Sequence, residues 1–161
     1  MHDFRPMREK SIDELEGASL QPPFASGMIA RIAEARRRPI GDLSLGDLRL
    51  LVSQGVALAY VLPIALEHLE QRPLVNGELY VGDLLSAALH AADTYAVTPQ
   101  HRERLREITV RALTRLSQVR PTDWNAPAPF DPDEPDEVDR ESLEARLAEA
   151  LDRLSGKRRT V

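Results

Sequence analysis

Cysteine is absent from the 161 residues, which excludes a disulfide framework, a thiolate metal site and a cysteine nucleophile. Long apolar runs are missing too. The longest, Val56 to Leu66, falls well short of the roughly 20 residues that cross a bilayer and is interrupted by Pro63. The N-terminal stretch MHDFRPMREKSIDELEG has no apolar region of the kind a secretory leader needs. No membrane association is signalled, and a reducing compartment, the cytoplasm, is the expected location.

Reactive constellations are equally scarce. Of the four histidines, His2, His68, His90 and His101, no two stand three or four residues apart, the spacing that puts two metal ligands on one helix face. There is no H-E-x-x-H and no G-x-S-x-G, and Gly77 and Gly82 are followed by neither Lys-Ser nor Lys-Thr. Ser44 and Ser53 therefore read as a helix cap and a helix-surface residue. The sequence predicts no catalytic residue, no metal and no cofactor, and so not an enzyme.

Charge is present but unevenly placed. The formal net charge is −5, while Asp131 to Glu144 alone holds eight acidic residues against one basic. The rest of the chain is nearly neutral, without the concentrated basic face that phosphate binding requires, so nucleic acid is not the expected ligand. The basic runs Arg36-Arg37-Arg38 and Lys157-Arg158-Arg159 fall where helices should end and cations complement the helix dipole.

Helical periodicity dominates what remains, and the predicted class is all-α. About six short helices form a compact bundle, and a C-terminal amphipathic helix follows a Pro-rich acidic strap. Ser11 with Glu14 has capping-box form, and Gly17 can stop the short helix that follows. Gln21-Pro22-Pro23-Phe24 cannot be helical, with Phe24 expected to plug that loop into the core. A second helix is predicted from Ser26 to Arg37, ended by Pro39. Ser44 and Asp47 open a third that runs to Gly55. Pro63 suits the first turn of a fourth, which carries Leu62, Ala65, Leu66 and Leu69 and stops at Pro73. Asn76-Gly77 marks a tight turn, and the alternation Glu78 to Val81 suggests a short extended piece. A fifth helix covers about Gly82 to Ala91, and Thr98-Pro99 opens a sixth. From Arg120 to Glu137 five prolines and no apolar period indicate a strap, pinned by Trp124 and Phe130. Leu143, Leu147, Ala150, Leu151 and Leu154 then mark the last helix, roughly Asp139 to Ser155. The expected organisation is a helical domain over 1–119, a linker over 120–138 and a C-terminal helix over 139–156.

One polar margin stands out on this scaffold. Glu67, Glu70, Glu78, Tyr80 and Asp83 are candidates to line an edge that meets a basic partner, with Tyr80 as an aromatic anchor. Asp83 reads more simply as a first-turn carboxylate facing the positive helix end, and His68, between Glu67 and Glu70, as part of a solvent-facing row. Asp133, Glu134, Asp136 and Glu137 of the strap complete the candidate contact set.

The segments SIDELEG at 11–17, PPF at 22–24, Arg37-Arg38-Pro39, LSLGDLRLLVSQG at 43–55, VLPIALEHLEQRPLV at 61–75 and GELYVGDLL at 77–85 occur in an order that resembles contact-dependent growth inhibition immunity proteins. The similarity covers about residues 10–92. It implies a cytoplasmic α-helical protein that binds and neutralises the toxin domain, often a nuclease, of a cognate bacterial effector. The partner it implies is a protein, and the chain itself is expected to be a monomer or weak homodimer. Val81 departs from the proline that follows the tyrosine in that pattern, and everything from Arg120 onward lies outside it. The rival reading is a helical adaptor or regulator that pairs through the Leu143 to Leu154 stripe.

Overall fold

Four helix starts fall where a hydroxyl can accept an otherwise unpaired amide. Ser11, Ser26, Ser44 and Thr98 accept from Glu14, Ile29, Asp47 and His101, and the boxes at Ser11 and Ser44 are closed by the return bonds to Glu14 and Asp47. The computed structural model describes residues 5–21, 26–118 and 137–156. Among these, the order is α1 (Arg5–Arg8), α2 (Ile12–Glu16), α3 (Gly27–Arg37), a 3₁₀ turn (Ile40–Asp42), α4 (Leu45–Ser53), α5 (Leu58–Gln71), α6 (Asp83–Thr94), α7 (Pro99–Ser117) and α8 (Glu137–Leu154). There is no strand among the described residues, only an isolated bridge between Ser11 and Pro39. The all-α bundle expected from the periodicity is the fold.

The core lies between α4, α5 and α6, whose leucine stripes meet at Leu48, Leu51, Leu62, Leu66, Leu69, Leu84 and Leu85, all fully buried. Each such side chain contributes roughly 1.5–3 kcal/mol relative to exposure. Leu105 and Ile108 seat α7 on this layer. At the other end, buried Arg36 of α3 donates to Asp13 at 2.8 Å and Glu16 at 2.6 Å, which ties α2 to α3. One member of the basic run is thus consumed inside the fold. Pairing matters there, because a buried guanidinium without partners is expensive.

Several details differ from the sequence expectation. Helix α5 begins a full turn earlier than predicted, so Pro63 lies inside it. The missing N–H leaves the Ala59 carbonyl without its intrahelical donor. Packing of Val61 and Leu62 in the core outweighs that local cost. The residues between α4 and α5 turn through left-handed conformations at Gly55 (φ 68°) and Ala57 (φ 51°). Residues 78–81 form a bent loop rather than an extended piece. Finally, α1 and the 3₁₀ turn were unsignalled, and α8 starts at Glu137 rather than Asp139.

Helix α8 lies against α7. Its stripe residues Leu143, Leu147 and Ala150 are buried, Leu143 reaches the backbone of Gly82, Arg140 donates to the Leu116 carbonyl at 2.9 Å, and Arg153 pairs with Asp93 at 2.9 Å. The stripe that would serve an adaptor is therefore covered by the chain's own body. No helix among the described residues is long and apolar enough to cross a membrane. Trp124, Phe130 and Phe24 lie outside the described residues.

Candidate functional site

The chain between α5 and α6 is an irregular loop whose amides are captured one by one. Asp83, first residue of α6, accepts from the Gly77 amide through Oδ1 and from the Leu79 amide through Oδ2 at 2.9 Å. Asn76 Oδ1 accepts from the Glu78 amide at 2.8 Å, and the Gly82 amide donates to the Leu74 carbonyl at 3.0 Å. Glycine at 77 is required by proximity, since a Cβ there would stand 2.9 Å from Asp83 Oδ1. Glycine at 82 serves its left-handed φ of 81°. With the loop tied so closely, Glu78 is held at φ 119°, a sparsely populated conformation for a residue with a side chain. Asp83 itself is 2% exposed. Its carboxylate faces the loop rather than solvent, which withdraws it from the expected contact edge and replaces the simple first-turn role with that of a loop clasp.

Around this clasp six charged groups interlock. Asp47, buried in the first turn of α4, receives Arg31 at 3.3 Å and Arg38 at 2.9 Å. Arg31 also donates to Glu78 at 2.8 Å, and Arg49 approaches both Glu78 and Asp83 at 3.7 Å. The Nε of Arg49 is buried without a hydrogen-bond acceptor, so its hold on Asp83 is electrostatic. Burial pushes the Asp47 carboxyl upward, but the Ser44 hydroxyl, Arg38, the Ser44 amide and Arg31 together outweigh it and hold the group below the usual range. The Arg31 hydrogen bond does the same for Glu78. Three cations and three carboxylates neutralise one another, so this cluster shapes the loop without offering a net charge.

Beside the exposed Asn76 and Glu78 the loop also presents two large apolar side chains. Leu79 is 62% exposed and Tyr80 39%, side by side, with the Arg146 guanidinium of α8 5.5 Å from the Tyr80 ring centroid. Tyr80 was a candidate from sequence. Leu79 was not, because an apolar residue in an alternating stretch reads as core.

Glu67 and Glu70 belong to a second set of partners, separate from those of the loop. Glu67 pairs with Arg8 of α1, and Glu70 pairs with Arg104 of α7 at 2.6 Å. Arg111 adds a hydrogen bond to the Glu70 carbonyl near the end of α5, where a cation complements the helix dipole. The Arg104 hydrogen bond holds the Glu70 carboxyl below the usual range. Between these pairs opens a cleft of about 160 Å³, with Met7, Ile40, Tyr60, Pro63 and Ile64 on its apolar walls and Arg8, Glu67, Gln100, His101 and Arg104 on its polar ones. Burial, with the charge of Arg104, lowers the pKa of His101. His68 is exposed.

Asp133, Glu134 and Asp136 lie outside the described residues, as does the side chain of Glu137, the first residue of α8. Among the described residues no three His, Asp or Glu side chains are grouped as metal ligands. No curated protein and no solved structure matches the chain. A family described as CDI immunity proteins matches it over residues 14–108, a span that runs from α2 into α7 and contains both the loop and most of the cleft.

Proposed function

The chain belongs to the CDI immunity proteins, whose role is toxin neutralisation, and we propose that it acts by binding one cognate toxin domain with the clamped loop at residues 76–82. The observation that carries this reading is the pair Leu79 and Tyr80, exposed together on a backbone held by Asp83. Contiguous apolar surface marks contact sites where singly exposed apolar residues do not, and tyrosine is enriched among residues that dominate binding energy. Glu78 precedes them in the loop and Arg146 lies over the Tyr80 ring, which suits an apolar anchor with a polar border.

In this reading Glu67, Glu70 and the acidic run Asp133, Glu134, Asp136 and Glu137 contribute charge. A nuclease toxin presents a basic, phosphate-binding face, and acidic groups set against it raise the association rate and exclude wrong partners. Neutralisation by occlusion asks for no catalysis, metal or cofactor from the inhibitor, and it operates in the cytoplasm of the protected cell.

Co-expression with the toxin domain encoded beside this chain tests the reading. The wild-type chain is expected to protect cells and to co-purify with the toxin domain in a one-to-one complex, while L79S/Y80A loses protection and keeps its fold. Equal killing with and without the wild-type chain sinks the proposal.

A further inference from the structure

The span matched by the family ends within α7, so α8 lies outside it, yet α8 reaches the clamped loop. Buried Leu143 packs its methyl groups against Gly82, 3.1 and 3.3 Å from where a Cβ would stand. One turn further along, the exposed Arg146 sets its guanidinium 5.5 Å from the Tyr80 ring centroid. Its Nε donates to the Ser142 carbonyl at 3.3 Å, and among the described residues the guanidinium meets no carboxylate. The neighbouring acids are taken. Glu78, which precedes the apolar pair in the loop, is held by Arg31 at 2.8 Å, and Glu149, the next acid along α8, by Arg153 at 3.2 Å. Arg146 thus stands beside an exposed aromatic ring with a charge that no described partner offsets.

We propose that α8 completes the toxin contact and that Arg146 is a specificity-determining residue, which takes a carboxylate of the toxin domain at the border of the Leu79 and Tyr80 contact. The chemistry follows from the shape of the group. A guanidinium offers a planar fork of N–H donors that matches a carboxylate with two parallel bonds, and the Tyr80 face attracts the cation and steadies its plane. The ring also keeps water from one side of the pair, where charge attraction is stronger. An apolar contact alone tolerates many partners of similar shape. A toxin with a neutral or basic group at this point leaves the guanidinium unmatched in the interface, and that penalty discriminates. This acidic group is a separate point of contact from the basic face met by Glu67, Glu70 and the acidic run. The inference rests on the reading of the loop as the toxin contact and adds that a helix outside the family's span decides which toxin fits.

Variants at Arg146 in the full chain, titrated with the toxin domain encoded beside it, test the proposal. In the free chain R146Q is expected to shift the Tyr80 ring signals in NMR and to keep the wild-type urea midpoint, since the side chain is exposed. Its affinity for the toxin domain should fall on the order of tenfold or more, the loss of a hydrogen bond between charged groups, and R146E should fall further. R146K keeps the charge without the fork and should lie between wild type and R146Q. Each exposed Asp and Glu of the toxin domain is then changed to Lys in turn, and one of these changes should restore binding to R146E while weakening binding to the wild-type chain. If R146Q and R146E bind as wild type does while L79S/Y80A loses the complex, the inference is overturned and the loop reading stands. Weakened binding that no charge reversal on the toxin domain restores means that Arg146 acts only on Tyr80, and the acidic occupant is overturned. A complex that survives L79S/Y80A, or none with the wild-type chain, overturns the loop reading and this inference with it.

Discussion

Glu78 stands over Gly46, its carboxylate so near the helix backbone that a Cβ at position 46 would lie 2.6 Å from Oε2 and 2.9 Å from Nη2 of Arg31. Both obstructing atoms are the far ends of flexible side chains. Gly46→Ala is therefore expected to displace the Arg31–Glu78 pair rather than the helix. Alanine gains up to about 1 kcal/mol of helix propensity, and the exposed pair is worth about 0–1 kcal/mol. Unfolding in urea should stay within about 1 kcal/mol of wild type, while toxin affinity falls because Glu78 no longer anchors the loop.

Gly55 presents the opposite case. A Cβ there would stand 2.4 Å from Cζ of Tyr95, and the backbone is left-handed at φ 68°. The αL conformation alone costs a side-chain-bearing residue about 1–2 kcal/mol, and the ring must also move. Gly55→Ala should destabilise by about 2–4 kcal/mol. Adding Tyr95→Ala should recover the steric part only, which a double-mutant cycle by urea denaturation would separate.

Asp83→Asn removes one of the two oxygens that receive the Gly77 and Leu79 amides and leaves Arg49 beside a neutral group. An unsatisfied buried group costs about 1–3 kcal/mol. Hydrogen exchange at Gly77 and Leu79 should accelerate well before that of core amides such as Leu51, and uniform acceleration across the chain would contradict a local clasp.

Asp47 and His101 are among the groups that shape the response to acid. Asp47 titrates below its unfolded-state value of about 3.9, so the folded form resists protonation. The stability it contributes is present above that value and is lost as pH falls through the lower, folded one. Asp47→Asn should flatten this limb of the stability curve. His101 also titrates low, so its contribution is full above about pH 6.5 and declines as pH drops toward the folded value. His101→Gln should remove that upper limb and leave the acid limb of Asp47 unchanged.

Helix starts were the most legible features, because a cap is a contract among four consecutive residues. Ser11, Ser26, Ser44 and Thr98 all lie where their side chains imply. The early start of α5 was hidden, since a proline's local preference for the first turn competes with burial of Val61 and Leu62 by distant helices. The Glu78 to Val81 alternation resembled a strand because period two is shared by any chain with Leu79 and Val81 apolar. Only the amide acceptors of Asp83 decide its shape. The ion pairs of the margin join residues far apart in sequence, Arg31 with Glu78 and Arg8 with Glu67. No spacing rule announces such pairs, and so one expected edge proved to be two separate sets of partners.

The clasp at Asp83 also bears on how a complex would form. Since residues 77–79 are ordered in the free chain, the conformational entropy of that segment is lost during folding and not at encounter. Association through Leu79 and Tyr80 is then a rigid-body event. Its heat-capacity change should match the apolar area buried at the contact, with no added contribution from coupled folding. Variation at these two side chains should appear chiefly as a change in dissociation rate.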